Sequence, residues 1–151
     1  MESVIISMNK DGGVGMTLVY PVIFTATHDK KDTYLVYIPD LKGMTEGYGL
    51  ENAIHMARDY MGLALFDRND SDIPAASALN EISISDSEFA DSGESFVNLV
   101  DLDLDAYRRK MNKKAVRRNV SIPAWLDKAA SEAHINVSRL LQEALMDKLN
   151  I

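Results

Sequence analysis

Three groups of residues have types that could do chemistry. Asp40, Glu46 and Glu51 lie close together in sequence, and converging carboxylates are what a two-metal nuclease uses to hold its cations. Here, however, Asp40 follows a proline turn, and Glu51 falls in a first helical turn, where an acid suits the helix dipole. His28, His55 and His134 are scattered over a turn, a helix and a helix end, whereas a metal site needs three or four converging ligands. There is no Ser/His/Asp constellation, and Gly12-Gly13-Val14-Gly15 has linker composition rather than that of a phosphate-binding loop. The expectation is a non-enzyme with no catalytic residue, no metal site and no cofactor. The third group is Arg117, Asn119 and Ser121, alternate members of the run Ala115–Ile122 (AVRRNVSI). Alternation in a strand sends side chains to opposite faces. One face is thus wholly polar; the other, Val116, Arg118, Val120 and Ile122, is mostly apolar. Arg118 is the departure, and its stem can lie over the edge of a core.

The elements that must position this run follow it directly. Pro123 suits the first position of a helix, whose apolar face is Trp125, Leu126, Ala129, Ala130 and Ala133. His134–Asn136 break that helix, and Asn136 is a candidate N-cap for a second. Val137, Leu140, Leu141, Ala144, Leu145 and Leu149 then form an amphipathic stripe. A strand and two helices are too little chain to bury a core alone, and a lone strand leaves its backbone groups unpaired. Both problems vanish if two copies pair into an antiparallel ribbon over a shared core. Val120, Ile122, Trp125, Leu126, Leu140, Leu141 and Leu145 are its expected members, in a homodimer or higher homo-oligomer.

Strand, proline-started helix and capped second helix resemble the ribbon-helix-helix family, whose two-stranded ribbon enters the DNA major groove. The resemblance implies base reading by Arg117, Asn119 and Ser121. Their types suit it, since arginine can chelate guanine and asparagine adenine. It also implies a phosphate held by the backbone N–H groups at Asn136, Val137 and Ser138, with Lys113 and Lys114 adding backbone contacts.

The remainder is different in charge. Residues 1–110 carry nine Lys+Arg against nineteen Asp+Glu, a balance of -10, whereas residues 111–151 carry seven against four, a balance of +3. The tail suits phosphates; the front suits a basic partner, or simply solubility. There is no cysteine, which excludes disulfide and thiolate frameworks. No stretch reads as a membrane span, and the first fifteen residues do not read as a signal peptide, so a cytoplasmic location is expected. Leu18–Thr27 and Thr33–Pro39 read as a β-hairpin, Met44–Gly47 as a third short strand, Leu50–Phe66 as a helix and Phe96–Leu104 as a fourth strand. Tyr107–Lys114 reads as a linker or the end of a short helix, and Asp86–Ser95 as a solvated loop. The expected fold is α+β, a small antiparallel sheet with one packed helix, over residues 16–108, with the ribbon-helix-helix module over 109–151. Residues 1–15 form an extension of uncertain order, with strand composition at Val4–Ser7.

Tyr20, the run Tyr34–Gly43 (YLVYIPDLKG), Thr45-Glu46-Gly47 and Leu50-Glu51-Asn52-Ala53 resemble the HicB family of antitoxins. Met44 departs from it, as cysteine is common there, and so does Tyr48-Gly49, where a Gly-Asp-type turn is common. The resemblance implies a degenerate RNase H-like fold without nuclease activity. It implies a toxin partner, HicA, a small basic RNA-cleaving protein, and repression of the chain's own operon through operator DNA. Tyr37, Asp40 and Glu46, near the motif, are the candidate toxin contacts. The alternative reading is a stand-alone ribbon-helix-helix repressor whose front half senses a small ligand.

Overall fold

A computed structural model describes residues 4–8 and 14–151, with side chains from residue 15 onward. The chain forms two compact units, Met1–Lys113 and Lys114–Ile151. The first is α+β, a five-stranded antiparallel sheet carrying one long helix and one short one. Its strands are β1 (Val4–Met8), β2 (Val14–Thr27), β3 (Thr33–Ile38), β4 (Gly43–Tyr48) and β5 (Gly93–Asp103). Its helices are α1 (Leu50–Leu65) and α2 (Leu104–Met111).

β2 is the spine of the sheet. Along one edge it pairs with β5, from Thr17↔Asp103 to Thr27↔Gly93. Along the other it takes β1 at its start and β3 near its end. Pro21 falls between those two, where neither pairs, a position that tolerates a residue without an N–H. The even-numbered side chains Leu18, Tyr20, Val22 and Phe24 meet Val36, Ile38, Val100 and Leu102 from the flanking strands. Ala53, Ala57, Met61 and Leu65, one stripe of α1, close this core. Helix and sheet approach closely because β4 is glycine where they touch. A Cβ at Gly47 would collide with the Ala53 backbone, and one at Gly43 with the Tyr60 ring.

The segment after α1 returns over the core. Ile73 is buried in it, and the Tyr20 hydroxyl donates to the Pro74 carbonyl at 2.5 Å. α2 is tied down in turn. Tyr107 covers Gly62 and donates to an Asp59 carboxylate oxygen at 3.0 Å, and Arg108 donates to the Phe66 and Arg68 carbonyls and to Asp70.

The hairpin, the short third strand and α1 form where the sequence places them, and three differences stand out. Val4–Met8 is paired as β1, and β2 begins at Val14; the linker reading of Asp11–Gly13 lies outside the described residues. The Asp86–Ser95 stretch is not all loop, because β5 starts at Gly93 opposite Thr27 and Ser87 is buried. The last expected strand stops at Asp103, which caps α2 by accepting the Ala106 N–H at 2.9 Å. Leu104–Met111 is therefore helix, so the short-helix alternative for Tyr107–Lys114 holds as far as Met111.

The second unit consists of α3 (Ala124–Glu132) and α4 (Val137–Leu149). The expected strand Ala115–Ile122 does not form in the single chain, and residues 112–123 have no regular secondary structure. A strand is a ladder between two backbones, and no described segment pairs with this one. Pro123 is the N-cap of α3 and not its first helical residue. Its ψ of 141° is extended, and its carbonyl accepts from Leu126 and Asp127. α3 ends with His134 in the left-handed region, φ 54°, while the Ile135 N–H reaches the Ala130 carbonyl and the His134 N–H reaches Ser131. That is the bond pattern of a Schellman cap.

Candidate functional site

Between α3 and α4 lies an apolar cleft of about 470 Å³, lined by Ile122, Leu126, Ala129, Ala130, Ala133, Ile135, Val137 and Leu140. No residue of Lys114–Ile151 is buried. Leu126 is 41% exposed, Leu140 53% and Leu145 52%. Of the residues expected in a shared core, the structure brings Ile122, Leu126 and Leu140 to this cleft. Val120, Trp125, Leu141 and Leu145 are exposed and outside it. Trp125 is offset from the stripe formed by Leu126, Ala130 and Ala133, and 71% of it meets solvent.

Arg117, Asn119 and Ser121 are all exposed on the irregular run that leads into α3. At the start of α4, the Asn136 side chain accepts the Arg139 N–H at 3.0 Å, as an N-cap should. The N–H groups of Val137 and Ser138, one turn too early for intrahelical acceptors, point out of the helix end. Lys113 ends the first unit and Lys114 opens the second. Arg139 is held by Glu143 at 2.8 Å along α4.

On the first unit, Tyr37 pairs with Met44 and Leu35 with Glu46. Parity therefore puts Tyr37, Met44, Glu46 and Tyr48 on the sheet face opposite α1. Asp40 is elsewhere. It sits in the 3-10 turn Pro39–Leu41 and accepts both the N–H and the hydroxyl of Ser77. Tyr37 and Glu46 share a face, while both oxygens of Asp40 are occupied in holding a loop. The carboxylates of Asp40, Glu46 and Glu51 do not converge, and no group of three or more His, Asp or Glu able to hold a metal occurs among the described residues.

A family model described as a HicB-like antitoxin of bacterial toxin-antitoxin systems matches residues 20–145. The chain belongs to this family.

A chain from a toxin-antitoxin complex of Streptococcus pneumoniae is 28% identical to this antitoxin, with a TM-score of 0.56 over 88% of this chain and 99% of that one. The antitoxin HicB of Burkholderia pseudomallei is 23% identical, with a TM-score of 0.44 over 87% and 96%. No curated protein matches the sequence. The family match spans residues of both compact units. No helix among the described residues is long and apolar enough to cross a membrane.

Two features of the antitoxin's first unit escaped the sequence. Met44 and Tyr48 flank Glu46 on β4, 43% and 68% exposed, and the Tyr48 hydroxyl donates to Glu46 at 3.3 Å. The alternation Gly-Met-Thr-Glu-Gly-Tyr carried that signal, since the two glycines mark the face turned to α1. Arg58 forms a fork on Asp101, 2.7 Å and 3.2 Å to one carboxylate oxygen and 3.0 Å to the carbonyl. Those hydrogen bonds hold the Asp101 carboxyl below the ordinary carboxylate range. The partners are 43 residues apart, and no local pattern links them.

Proposed function

We propose that this antitoxin neutralises a HicA-like mRNA-cleaving toxin through its first unit and represses its own operon through its second. In this reading the first unit is a degenerate RNase H-like domain without catalysis. The second is a ribbon-helix-helix module that pairs with the same module of another copy. Arg117, Asn119 and Ser121 read bases, and the N–H groups of Val137 and Ser138 grip a phosphate, with Lys113 and Lys114 against the backbone.

The observation that carries the proposal is that the second unit buries nothing while presenting an apolar cleft between two capped helices. Fully burying a leucine or isoleucine side chain contributes about 1.5–3 kcal/mol. A module that leaves Ile122, Leu126, Leu140 and Leu145 in water has its core completed by something else. The run Ala115–Ile122, apolar at Val116, Val120 and Ile122 and without a ladder partner, asks for the same thing. A second copy answers both, and the polar face of the resulting ribbon is the one with arginine, asparagine and serine. The charge balance fits the division of labour: an acidic front speeds encounter with a basic toxin, and a basic tail suits DNA.

The test is coexpression with the toxin of the same operon. The expected result is a stable complex whose RNA cleavage is suppressed by the full chain and by a chain ending at Lys113, whereas only the full chain retards operator DNA. RNA cleavage unaffected by the full chain would overturn the toxin arm, and operator binding by the truncated chain would overturn the assignment of DNA binding to the tail.

A further inference from the structure

The sheet has two edges whose side chains are described, β5 and β4, and they are finished differently. On the β5 side, the bond from the His28 N–H to the Ser92 carbonyl fixes the phase of the ladder. Counting from it through the β2–β5 register, Ser95, Val97, Leu99 and Asp101 turn their own N–H and C=O groups outward. Two of those groups are capped. The Leu99 N–H is taken by the Asn98 side chain at 2.8 Å, and the Asp101 carbonyl by Arg58 at 3.0 Å. The 3-10 turns Leu79–Glu81 and Ile84–Asp86 also lie alongside this strand. Such devices blunt an edge against another strand, here at the Leu99–Asp101 end.

β4 lacks them. The Gly49 N–H reaches the Asp32 carbonyl at 2.6 Å, which sets the phase of the β3–β4 ladder. Gly47, Thr45 and Gly43 then face β3, and Tyr48, Glu46 and Met44 face out. The Asn52 side chain caps the Tyr48 N–H at 2.9 Å. The backbone groups of Met44 and Glu46 have no partner among the described residues. Their side chains are exposed as well, so backbone and side-chain recognition coincide at one short segment.

We propose that β4 is where the toxin docks: an extended, basic segment of the toxin adds a strand to this edge, bonding the backbone of Met44 and Glu46. This rests on the reading that the chain neutralises a toxin. Strand addition takes affinity from main-chain bonds and specificity from alternate side chains. Those side chains are Met44 and Tyr48 around the Glu46 carboxylate, which suits apolar residues flanking a lysine or arginine. A second copy of the antitoxin is the poorer occupant, because residues 1–110 carry -10 and two such units repel at close approach. The same charge disfavours nucleic acid at this edge.

The experiment is residue-resolved amide hydrogen exchange on the full chain, alone and in complex with the toxin coexpressed from its operon. Protection of the Met44 and Glu46 amides by at least tenfold on complex formation is expected, with Val97 on β5 unchanged. Met44→Pro removes an outward N–H and spares the ladder to β3. It is expected to weaken toxin binding at least tenfold while operator binding stays within twofold, and Val97→Pro is expected to leave toxin binding unchanged. A bound toxin with Met44 and Glu46 exchanging as in the free chain would overturn the docking edge and leave toxin neutralisation standing. Protection of these amides in the free chain on raising its concentration would overturn it in favour of a second copy. If the toxin does not bind the wild-type chain, both readings fall.

Discussion

Asp40 accepts two hydrogen bonds from Ser77, 37 residues further along the chain, at 3.0 Å from the backbone N–H and 2.5 Å from the hydroxyl. The pair pins the segment after α1 to the turn between β3 and β4. Tyr20, donating to Pro74, holds the same segment from below. Asp40 belongs to the Pro-Asp-Leu motif by which the family is recognised in this sequence, and its geometry makes it a structural residue.

Replacing it should therefore damage the fold and not partner choice. Asp40→Ala leaves the Ser77 N–H and hydroxyl without their acceptor, a loss of about 1–3 kcal/mol. Urea unfolding of the first unit should shift accordingly, while toxin affinity measured on the folded fraction stays within a few-fold of wild type. A large loss of toxin affinity without a loss of stability would return Asp40 to the contact surface.

Gly47 is a second place where the motif serves packing. Any side chain there meets the Ala53 backbone, which cannot rotate away. Gly47→Ala should cost about 1–3 kcal/mol through displacement of α1 from β4. Gly49→Ala tests a different term. Nothing surrounds its Cβ position, but φ is +84° and ψ 153°, a region essentially confined to glycine, so the cost there is backbone strain alone, about 1–3 kcal/mol. Thermal unfolding should place both variants below wild type, and a wild-type midpoint for either would remove the constraint assigned to it.

Burial, reinforced by the negative charge of Asp40, pushes the Tyr20 hydroxyl up from 10.0 to about 12. A raised value means that the folded state favours the neutral phenol. The associated stability is full below pH 10 and is lost as pH rises toward 12. Denaturation midpoints should fall across that window. Tyr20→Phe should start lower, having lost the bond to Pro74, and decline less steeply. An identical slope in both proteins would remove Tyr20 as the cause. Asp101 acts on the acid side with the opposite sign. Its lowered value gives stability at neutral pH that is lost on acidification, and its exposure keeps that contribution small.

Much of the first unit was legible because its signals are local. The apolar alternation of Leu18–Thr27 and Thr33–Pro39 gave a hairpin, and the spacing of Ala53, Ala57, Met61 and Leu65 gave the buried stripe of α1. The start of α2 was not. Asp101-Leu102-Asp103-Leu104 alternates as a strand does, and Asp103 changes from a strand residue to a helix cap only through its bond to Ala106. The start of β5 was hidden by Gly93 and the serines around it, since its partner Thr27 is remote in sequence. In the tail, both helices and the Asn136 cap followed from composition. The run Ala115–Ile122 has the sequence of a strand, but a strand needs another backbone. The candidate contacts split for the same reason: parity placed Tyr37 with Glu46, and a long-range bond that no spacing encodes took Asp40 away.

In the proposed function, two tails pair and read DNA through Arg117 and Asn119. That reading is tested most directly by titrating the full chain against its own upstream DNA, wild type beside Arg117→Ala/Asn119→Ala, with the dimer of each verified by sedimentation. Each bidentate contact is worth about 1–3 kcal/mol of discrimination. The double variant is expected to remain a dimer and to lose at least tenfold in affinity for the operator, falling to the level of unrelated DNA. Equal operator binding by the two dimers, or a monomeric wild-type chain that still binds specifically, would contradict that reading.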